Sequence, residues 1–332
     1  MYKHAHDSLH LWYLKNGRHT LPWRNIDDAY KIWVSEIMLQ QTQVKTVLER
    51  FYFPFLDAFP TLQDLAEASE DEVLKKWEGL GYYTRARNLH KSAKICQDSL
   101  PLTVKELVSL AGIGQSTAHA IAAFAYKTPV PILDANVKRI LYRLFATTKA
   151  NEKELWKMAY SFFDETRPYD YNQAMMDLGS SICTAKLPLC QACPFTQVCE
   201  GKDSPLLYPE KKVKKATPIR KKHIIIHEHQ NKLALKQRET RFLNGLWGFS
   251  EFEVDKDIFY THTLGDISHT YSHFKLQAQV HLHQDYIEAH EWFSLEELEN
   301  LALSTADHKA LQLYKKTKNQ KPKTKSHPTP LC

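Results

Sequence analysis

Four cysteines within 17 residues constrain this 332-residue chain more than any other feature. Cys183, Cys190, Cys193 and Cys199 read C-x6-C-x2-C-x5-C, and Pro188 and Pro194 between them stop a helix. A loop of that kind can wrap one compact centre. Disulfides are the other use of clustered cysteines, but in a chain of this size without secretory signals a tight cluster points to a metal. Zinc accepts four thiolates, yet its ribbons usually pair two C-x2-C knuckles and this run has one. A [4Fe–4S] cluster is a larger body and fits the six- and five-residue gaps better. Cys96 and Cys332 carry no pattern and read as a buried and a tail thiol.

The surrounding pattern divides the chain. From Ser8 to about Ile182 apolar residues recur three and four apart, as in Tyr30 to Gln41, Thr84 to Ser99, Lys105 to Leu110, Ser116 to Tyr126, Asn136 to Phe145 and Tyr171 to Ile182. Strand signals are nearly absent there. Beyond a basic connector the texture changes to short alternating runs, Lys222 to Glu228, Lys232 to Arg238 and Phe274 to His283, and Ser294 to Tyr314 reads as one or two closing helices. The expected organisation is a mainly helical domain over 1–201, a linker over 202–222, a smaller α+β domain over 223–314 and a disordered Lys-rich tail over 315–332.

Charge follows the same divisions. Lys and Arg set against Asp and Glu leave +1 on residues 1–201, +6 on 202–222, −7 on 223–314 and +6 on 315–332. The excess positive charge sits on solvated segments, where it attracts a polyanion or simply keeps the segments in water. No run approaches the roughly 20 apolar residues that span a bilayer, and the first residues lack the apolar block of a signal peptide. A cytoplasmic monomer without membrane contact is expected.

Two local motifs carry chemistry. Leu110-Ala111-Gly112-Ile113-Gly114-Gln115-Ser116 separates two helical stretches, and its glycines allow a tight turn with N–H groups at a helix N-terminus free to hold a phosphate. It is no dinucleotide loop, because no strand precedes it and a third glycine is missing. Twenty residues beyond Gly114, Asp134 follows the apolar run Pro131-Ile132-Leu133 at the expected N-cap of the next helix.

Together with the cysteine loop, these motifs resemble the endonuclease III superfamily of helix-hairpin-helix DNA glycosylases. Within it, Leu21-Pro22-Trp23-Arg24, the run Ser35 to Gln43, Gly79-Leu80-Gly81-Tyr82-Tyr83, the run Asn172 to Gly179 and Thr270-Tyr271-Ser272-His273-Phe274 are similar to the MutY-type adenine glycosylases. The likeness runs from about residue 8 to about residue 314. It implies a helix-hairpin-helix glycosylase domain with a [4Fe–4S] loop, followed by a Nudix-like α+β domain. It also implies duplex DNA as partner, and adenine opposite 8-oxoguanine or guanine as substrate.

The resemblance assigns roles that the residues can meet. Glu36, in the apolar helix Ile32 to Leu39, would stay protonated and deliver a proton to adenine N7, since desolvation raises a carboxyl pKa. Asp134, its anion favoured by a helix N-terminus, would stabilise the sugar cation or add to it transiently. Asn136 would support Asp134, with Ser116 nearby in a supporting part, and Lys138 would meet the DNA backbone together with the hairpin glycines Gly112 and Gly114. His19, Leu21, Trp23, Arg24, Leu39 and Gln173 would line the pocket for the flipped base, while Gln41 and Tyr82 fill the gap it leaves. The four cysteines would hold the cluster as a structural element that presents Lys186 to DNA.

Bifunctional members carry a lysine nucleophile two residues after the second hairpin glycine. Here that residue is Ser116, which implies a monofunctional enzyme. The second domain lacks the G-x5-E-x7-R-E-x2-E-E run of Nudix hydrolases, and its Glu296-Glu297 pair stands alone, so Tyr271, Ser272 and His273 read as a lesion-recognition loop. The chain departs from the family pattern at Ala111 and Ser250, where proline is common, and at Ala135, where glycine commonly follows the catalytic Asp. The rival readings are a glycosylase/lyase acting on thymine or oxidised pyrimidines, and an iron–sulfur DNA-binding protein without catalysis.

Overall fold

The computed structural model describes residues 2–211, 216–288 and 290–319. Among the described residues twelve α-helices precede the sheet: α1 (Lys3–Asn16), α2 (Ala29–Leu39), α3 (Val44–Arg50), α4 (Tyr52–Ala58), α5 (Leu62–Glu67), α6 (Glu70–Lys76), α7 (Thr84–Cys96), α8 (Val104–Ser109), α9 (Gln115–Ala125), α10 (Ala135–Leu144), α11 (Glu152–Ser161) and α12 (Pro168–Ser181). The six helices read from periodicity are all present. Helix α1 begins at Lys3, ahead of the expected Ser8, and the short helices α3 to α6 lack enough turns to leave a pattern. Among the described residues no helix is long and apolar enough to cross a membrane.

The described residues of 1–67 and 88–214 form one compact unit, and those of 68–87 and 215–332 a second. Residues 68–87 therefore depart from the expected break near 201. They are held in the second unit by specific bonds. Asp71 accepts from the Gln237 amide at 2.8 Å, Glu78 accepts from the Leu303 N–H at 2.8 Å and pairs with His308 at 2.6 Å, and Lys75 donates to the Leu301 carbonyl at 3.0 Å. No local periodicity could announce such distant partners.

In the first unit one core gathers Leu9 and Tyr13 of α1, Ile140, Leu141 and Leu144 of α10, Phe162, and Met175 and Leu178 of α12. A smaller cluster joins Ile32 of α2 to Ala120, Ala123 and Phe124 of α9. The hairpin links α8 to α9. Thr103 and Glu106 form a capping box at the start of α8, and the Ser92 hydroxyl donates to the Ala111 carbonyl at 3.0 Å.

The second unit holds a seven-stranded sheet of order β3-β2-β1-β6-β5, made of β1 (Ile219–His229), β2 (Lys232–Gln237), β3 (Trp247–Gly248), β4 (Ser250–Glu253), β5 (His262–Thr270), β6 (Lys275–His283) and β7 (Glu291–Phe293), with β4 on β1 and β7 on β2. The pair β1 and β6 is parallel and every other pair antiparallel. Helix α13 (Thr305–Asn319) packs its Ala306, Ala310, Leu311 and Tyr314 on one face, against Ile224, Ile226, Leu276, Val280 and Leu282. The Arg238 guanidinium binds Asp307 at 2.9 Å and the Trp247 carbonyl at 3.0 Å, and a Cβ at Gly248 would overlap it. Strand β1 starts at Ile219, inside the expected linker, and α13 runs to Asn319, into the expected tail; residues 320–332 of that tail, Cys332 among them, and 212–215 of the linker lie outside the described residues.

The hairpin glycines differ in what they require. Gly112 has φ +78°, and a Cβ there would lie 2.8 Å from the Asn88 Cβ, whereas Gly114 has φ −81° and nothing within 4 Å of a built Cβ. Gly112→Ala should therefore cost about 1–3 kcal/mol and Gly114→Ala within about 0.5 kcal/mol. Thermal melts of the two variants beside the parent measure the difference, and equal losses would contradict it.

Candidate active site

A cleft of about 610 Å³ in the first unit is lined by Glu36 of α2, Asp134 at the start of α10, Ser116 and Thr117 of α9, and Asn136, with Leu21, Trp23, Arg24, Leu39, Gln41 and Gln173 around them. Two acids that lie 98 positions apart in sequence thus share one cavity. The larger cleft, about 820 Å³, belongs to the second unit and has no carboxyl group among its lining residues.

Glu36 is carried by a helix in which Tyr30, Ile32, Trp33, Val34, Ser35, Ile37 and Met38 are buried. Burial first, and the nearby Asp134 second, push its carboxyl up to about 7, against a smaller lowering by Arg24. Asp134 caps α10, accepting from the Val137 N–H at 2.7 Å and from the Asn136 amide at 3.2 Å. Burial nevertheless lifts its carboxyl above the ordinary aspartate range, so the helix N-terminus alone does not settle its charge. What the donors supply is the difference between the acids. Asp134 carries the hydrogen bonds that favour an anion, and its charge raises Glu36.

The segment that delivers Asp134 is fixed from two helices. Asn172 of α12 accepts from the Ile132 N–H at 2.9 Å and donates to the Val130 carbonyl at 2.8 Å, and a His119 ring nitrogen meets the Pro131 carbonyl at 2.7 Å. Asn136 accepts in turn from Arg139 at 2.8 Å, and Arg139 also donates to the carbonyls of Gly179 at 2.6 Å and Cys183 at 2.8 Å. A Cβ at Gly179 would stand 2.5 Å from the Asn136 Cβ, so glycine is what lets α12 approach. Ala135 is the first residue of α10 and exposed, and its departure from glycine strains nothing.

Arg24 lies buried in a bidentate pair with Asp177, at 2.7 and 2.8 Å, and Arg18 grips the same carboxylate at 2.7 Å. Burial opposes the charge on Asp177, but the two arginines hold its pKa below the usual range. His19 is not brought to the cleft. Its Nε2 is hydrogen-bonded to the Tyr13 carbonyl at 2.9 Å and its ring packs on Tyr13, so the pocket expectation for it is corrected. Lys138 is paired with Glu152 at 3.1 Å. Sequence reading gave no role to Arg18, Gln40, Thr117 and Met176, which also line the cleft, nor to Arg139; Gln40 and Met176 lie within the Ser35–Gln43 and Asn172–Gly179 runs, and the others carry no local signal.

Cys183, Cys190, Cys193 and Cys199 line one small cavity with Arg143 and Pro188. Burial, and then the neighbouring thiols, push Cys193 up to about 12 and Cys199 to about 11. Half-buried thiols that oppose one another's ionisation are what a cationic iron centre would relieve. Among the described residues no group of three or more His, Cys, Asp or Glu stands close enough to hold a single metal ion. The Arg143 guanidinium donates to the Cys183 sulfur at 3.2 Å.

In the second unit the 820 Å³ cleft brings Gly81, Tyr82, Arg241 and Asn244 together with Tyr271, Ser272 and His273. Gly79, Gly81 and Tyr82 all have positive φ, and this turn leaves the Tyr82 ring exposed. Gln41, by contrast, lines the cleft of the first unit.

The family profile for the HhH-GPD superfamily base excision DNA repair proteins matches residues 34–161, and the NUDIX domain profile matches 223–313. An adenine DNA glycosylase of Buchnera aphidicola subsp. Acyrthosiphon pisum is 34% identical over 336 residues, covering 92% of this chain and 96% of that protein. A second, from Buchnera aphidicola subsp. Schizaphis graminum, is 38% identical over 255 residues, 73% of each chain. The chain belongs to the adenine DNA glycosylases. Among solved structures, a thermostable thymine-DNA glycosylase superposes with TM-score 0.55 at 25% identity, over 59% of this chain and 94% of that one. As a base excision repair DNA N-glycosylase, the enzyme must protonate a leaving base and stabilise a sugar cation, and the cleft holds two acids of unequal proton affinity.

Glu36 in the folded glycosylase binds its proton more tightly than in the unfolded chain, where the ordinary value is 4.5. Its stabilising contribution is complete below that value and is lost as pH climbs toward about 7. Glu36→Gln, which cannot ionise, should melt close to the parent at pH of about 4 and higher than the parent, by roughly a few degrees, at pH of about 8. Differential scanning calorimetry at the two pH values checks the sign, and a lower melting point at alkaline pH would contradict it.

Proposed function

We propose that this glycosylase removes adenine paired with 8-oxoguanine or guanine in duplex DNA, and that it does so without an accompanying lyase step. The observation that carries the chemistry is the shared cleft, in which burial and the neighbouring Asp134 push Glu36 up to about 7 while Asp134 keeps the hydrogen-bond donors that favour an anion. Glu36 gives its proton to N7 of the flipped adenine. The C1′–N9 bond breaks with its electrons leaving on the base, and the Asp134 carboxylate faces the oxocarbenium ion at C1′. Water then adds to C1′, and its proton can return to the Glu36 carboxylate. Leu21, Trp23, Arg24, Leu39 and Gln173 bound the same space and would enclose the base.

Absence of lyase chemistry rests on the amine inventory. Among the described residues lining the cleft the cations are Arg18 and Arg24, whose guanidiniums are no Schiff-base nucleophiles, and Ser116 occupies the hairpin position. Identity at 34% and 38% to proteins named adenine DNA glycosylases also weighs against thymine as substrate. Cys183, Cys190, Cys193 and Cys199 would hold a [4Fe–4S] cluster, which when bound cross-links the loop and takes no part in bond cleavage. Lesion reading falls to Tyr271, Ser272 and His273, because they share a cavity with Tyr82, the side chain assigned to the gap beside the orphaned base.

Single-turnover assays on duplexes with adenine opposite 8-oxoguanine test the mechanism. Glu36→Gln and Asp134→Asn should each lose at least about 10²-fold in excision while DNA binding persists, and the parent should cut the strand only after alkaline workup. Near-normal rates in either variant would refute the assignment, and abundant β-elimination by the parent would refute the monofunctional reading. Separately, the Ser272→Ala/His273→Ala variant should excise adenine opposite guanine at the parent's rate and lose most of its preference for 8-oxoguanine. Competition between the two duplexes reads that preference, and an unchanged ratio would remove the loop from lesion recognition.

A further inference from the structure

The turn that joins β5 to β6 has its backbone fixed and its tip free. The Tyr271 N–H donates to the Phe274 carbonyl at 2.9 Å, beside the paired Thr270 and Lys275, and this leaves Ser272 and His273 exposed at the end of the hairpin. Among the described residues the side chains of these two hydrogen-bond to each other alone, Ser272 Oγ to His273 Nδ1 at 3.2 Å. The direction of the imidazole must therefore come from what it packs on.

Phe242, in the loop between β2 and β3, supplies that packing. Its half-buried ring stands edge-on to three rings of the turn, with centroids 5.0 Å from Tyr271, 5.1 Å from His273 and 5.3 Å from Phe274, at interplanar angles of 86°, 85° and 60°. Separations of about 4.5–7 Å in that orientation are favourable for aromatic quadrupoles. Phe242 lines the same 820 Å³ cleft as the turn. It is also held there without help from its own ring. The Arg238 N–H donates to the Leu246 carbonyl and the Gly245 N–H to the Arg238 carbonyl, both at 2.8 Å, which closes the loop. Inside it the Asn244 amide donates to the Glu239 carbonyl at 2.6 Å and the Thr240 hydroxyl to the Phe242 carbonyl at 3.1 Å. Replacing the ring therefore leaves its loop in place.

We propose that Phe242 is a positioning residue for lesion recognition, whose ring fixes Tyr271 and His273 in the orientation in which the turn reads 8-oxoguanine. The inference rests on the reading of Ser272 and His273 as the lesion-recognising pair. A turn ordered before it meets the lesion gives up less side-chain freedom on contact, and that difference favours the lesion the turn is shaped for.

The test is competitive excision by the full chain, from a mixture of duplexes with adenine opposite 8-oxoguanine and adenine opposite guanine. Both products come from one sample, so their ratio is independent of how much of the enzyme is active. Phe242→Leu keeps apolar bulk and removes the ring, and it should lower the ratio by about three- to tenfold, the range that aromatic contacts contribute. Placed in the Ser272→Ala/His273→Ala background, the same substitution should lower it no further, because it acts through those side chains. A parental ratio in Phe242→Leu, beside a reduced one in Ser272→Ala/His273→Ala, overturns the inference and leaves the reading of the turn intact. A further drop in the combined variant also overturns it, since Phe242 then acts independently of the turn. A parental ratio in Ser272→Ala/His273→Ala overturns that reading, and the inference with it. Should Phe242→Leu fail to fold, Phe242→Met decides by the same comparisons.

Discussion

The structure turns on placing two carboxyl groups in one desolvated cleft with unlike hydrogen-bonding surroundings. Glu36 and Asp134 would each be lifted by burial, and alike surroundings would give them alike behaviour. The asymmetry comes from backbone placement. Asp134 ends an extended segment pinned by Asn172 and His119, and the first turn of α10 aims the Val137 N–H at its oxygen. Glu36 sits in mid-helix, where backbone donors are already used within α2. A helix start and a helix middle thus give two acids unlike sets of hydrogen-bond donors.

That placement reaches outward through a chain of bonds. Asp134 receives the Asn136 amide, Asn136 receives Arg139, and Arg139 is fixed by the carbonyls of Gly179 and Cys183. The last contact is the first cysteine of the loop, so the order of the loop backbone and the orientation of Asn136 depend on one guanidinium. Arg143, one turn on, performs the same service for Cys183 and Thr184. Two arginines on one helix therefore join the acid-bearing turn to the thiol-bearing loop, with the planar fork satisfying several carbonyls at once.

Much of this was legible in the sequence. The helices around Glu36, the hairpin and Asp134 are long enough for their apolar spacing to show, and the cysteine spacing isolates one loop. The N-cap role of Asp134 follows from its position after an apolar run. What stayed hidden depends on distant partners. His19 sits in a stretch that resembles a base pocket, yet its ring is taken by the Tyr13 carbonyl, and nothing local signals that. The segment 68–87 reads as ordinary helix and turn, while its polar side chains are matched to Gln237, Leu303 and His308 more than 160 residues away. Gly179 looks like a helix-breaking residue until Asn136 is seen against it. Strands β3, β4 and β7 are too short for alternation to emerge.

Net charge misleads for the second domain, and the reason is local. Residues 223–314 carry −7, an unlikely balance for a surface that meets DNA. The cleft lined by Tyr82 and Tyr271 to His273 nevertheless contains no carboxylate, and its ionisable lining includes Arg241, His269 and His273. The acids are spent elsewhere: Asp307 and Glu251 on Arg238, Glu228 on Lys318, Glu253 on Lys222. Within a Debye length of about 8–10 Å the potential at a surface is set by nearby groups, so an acidic domain can present a neutral-to-basic face to a phosphate backbone. The sign of a domain therefore constrains its solubility, and the residues around the cleft constrain what it binds.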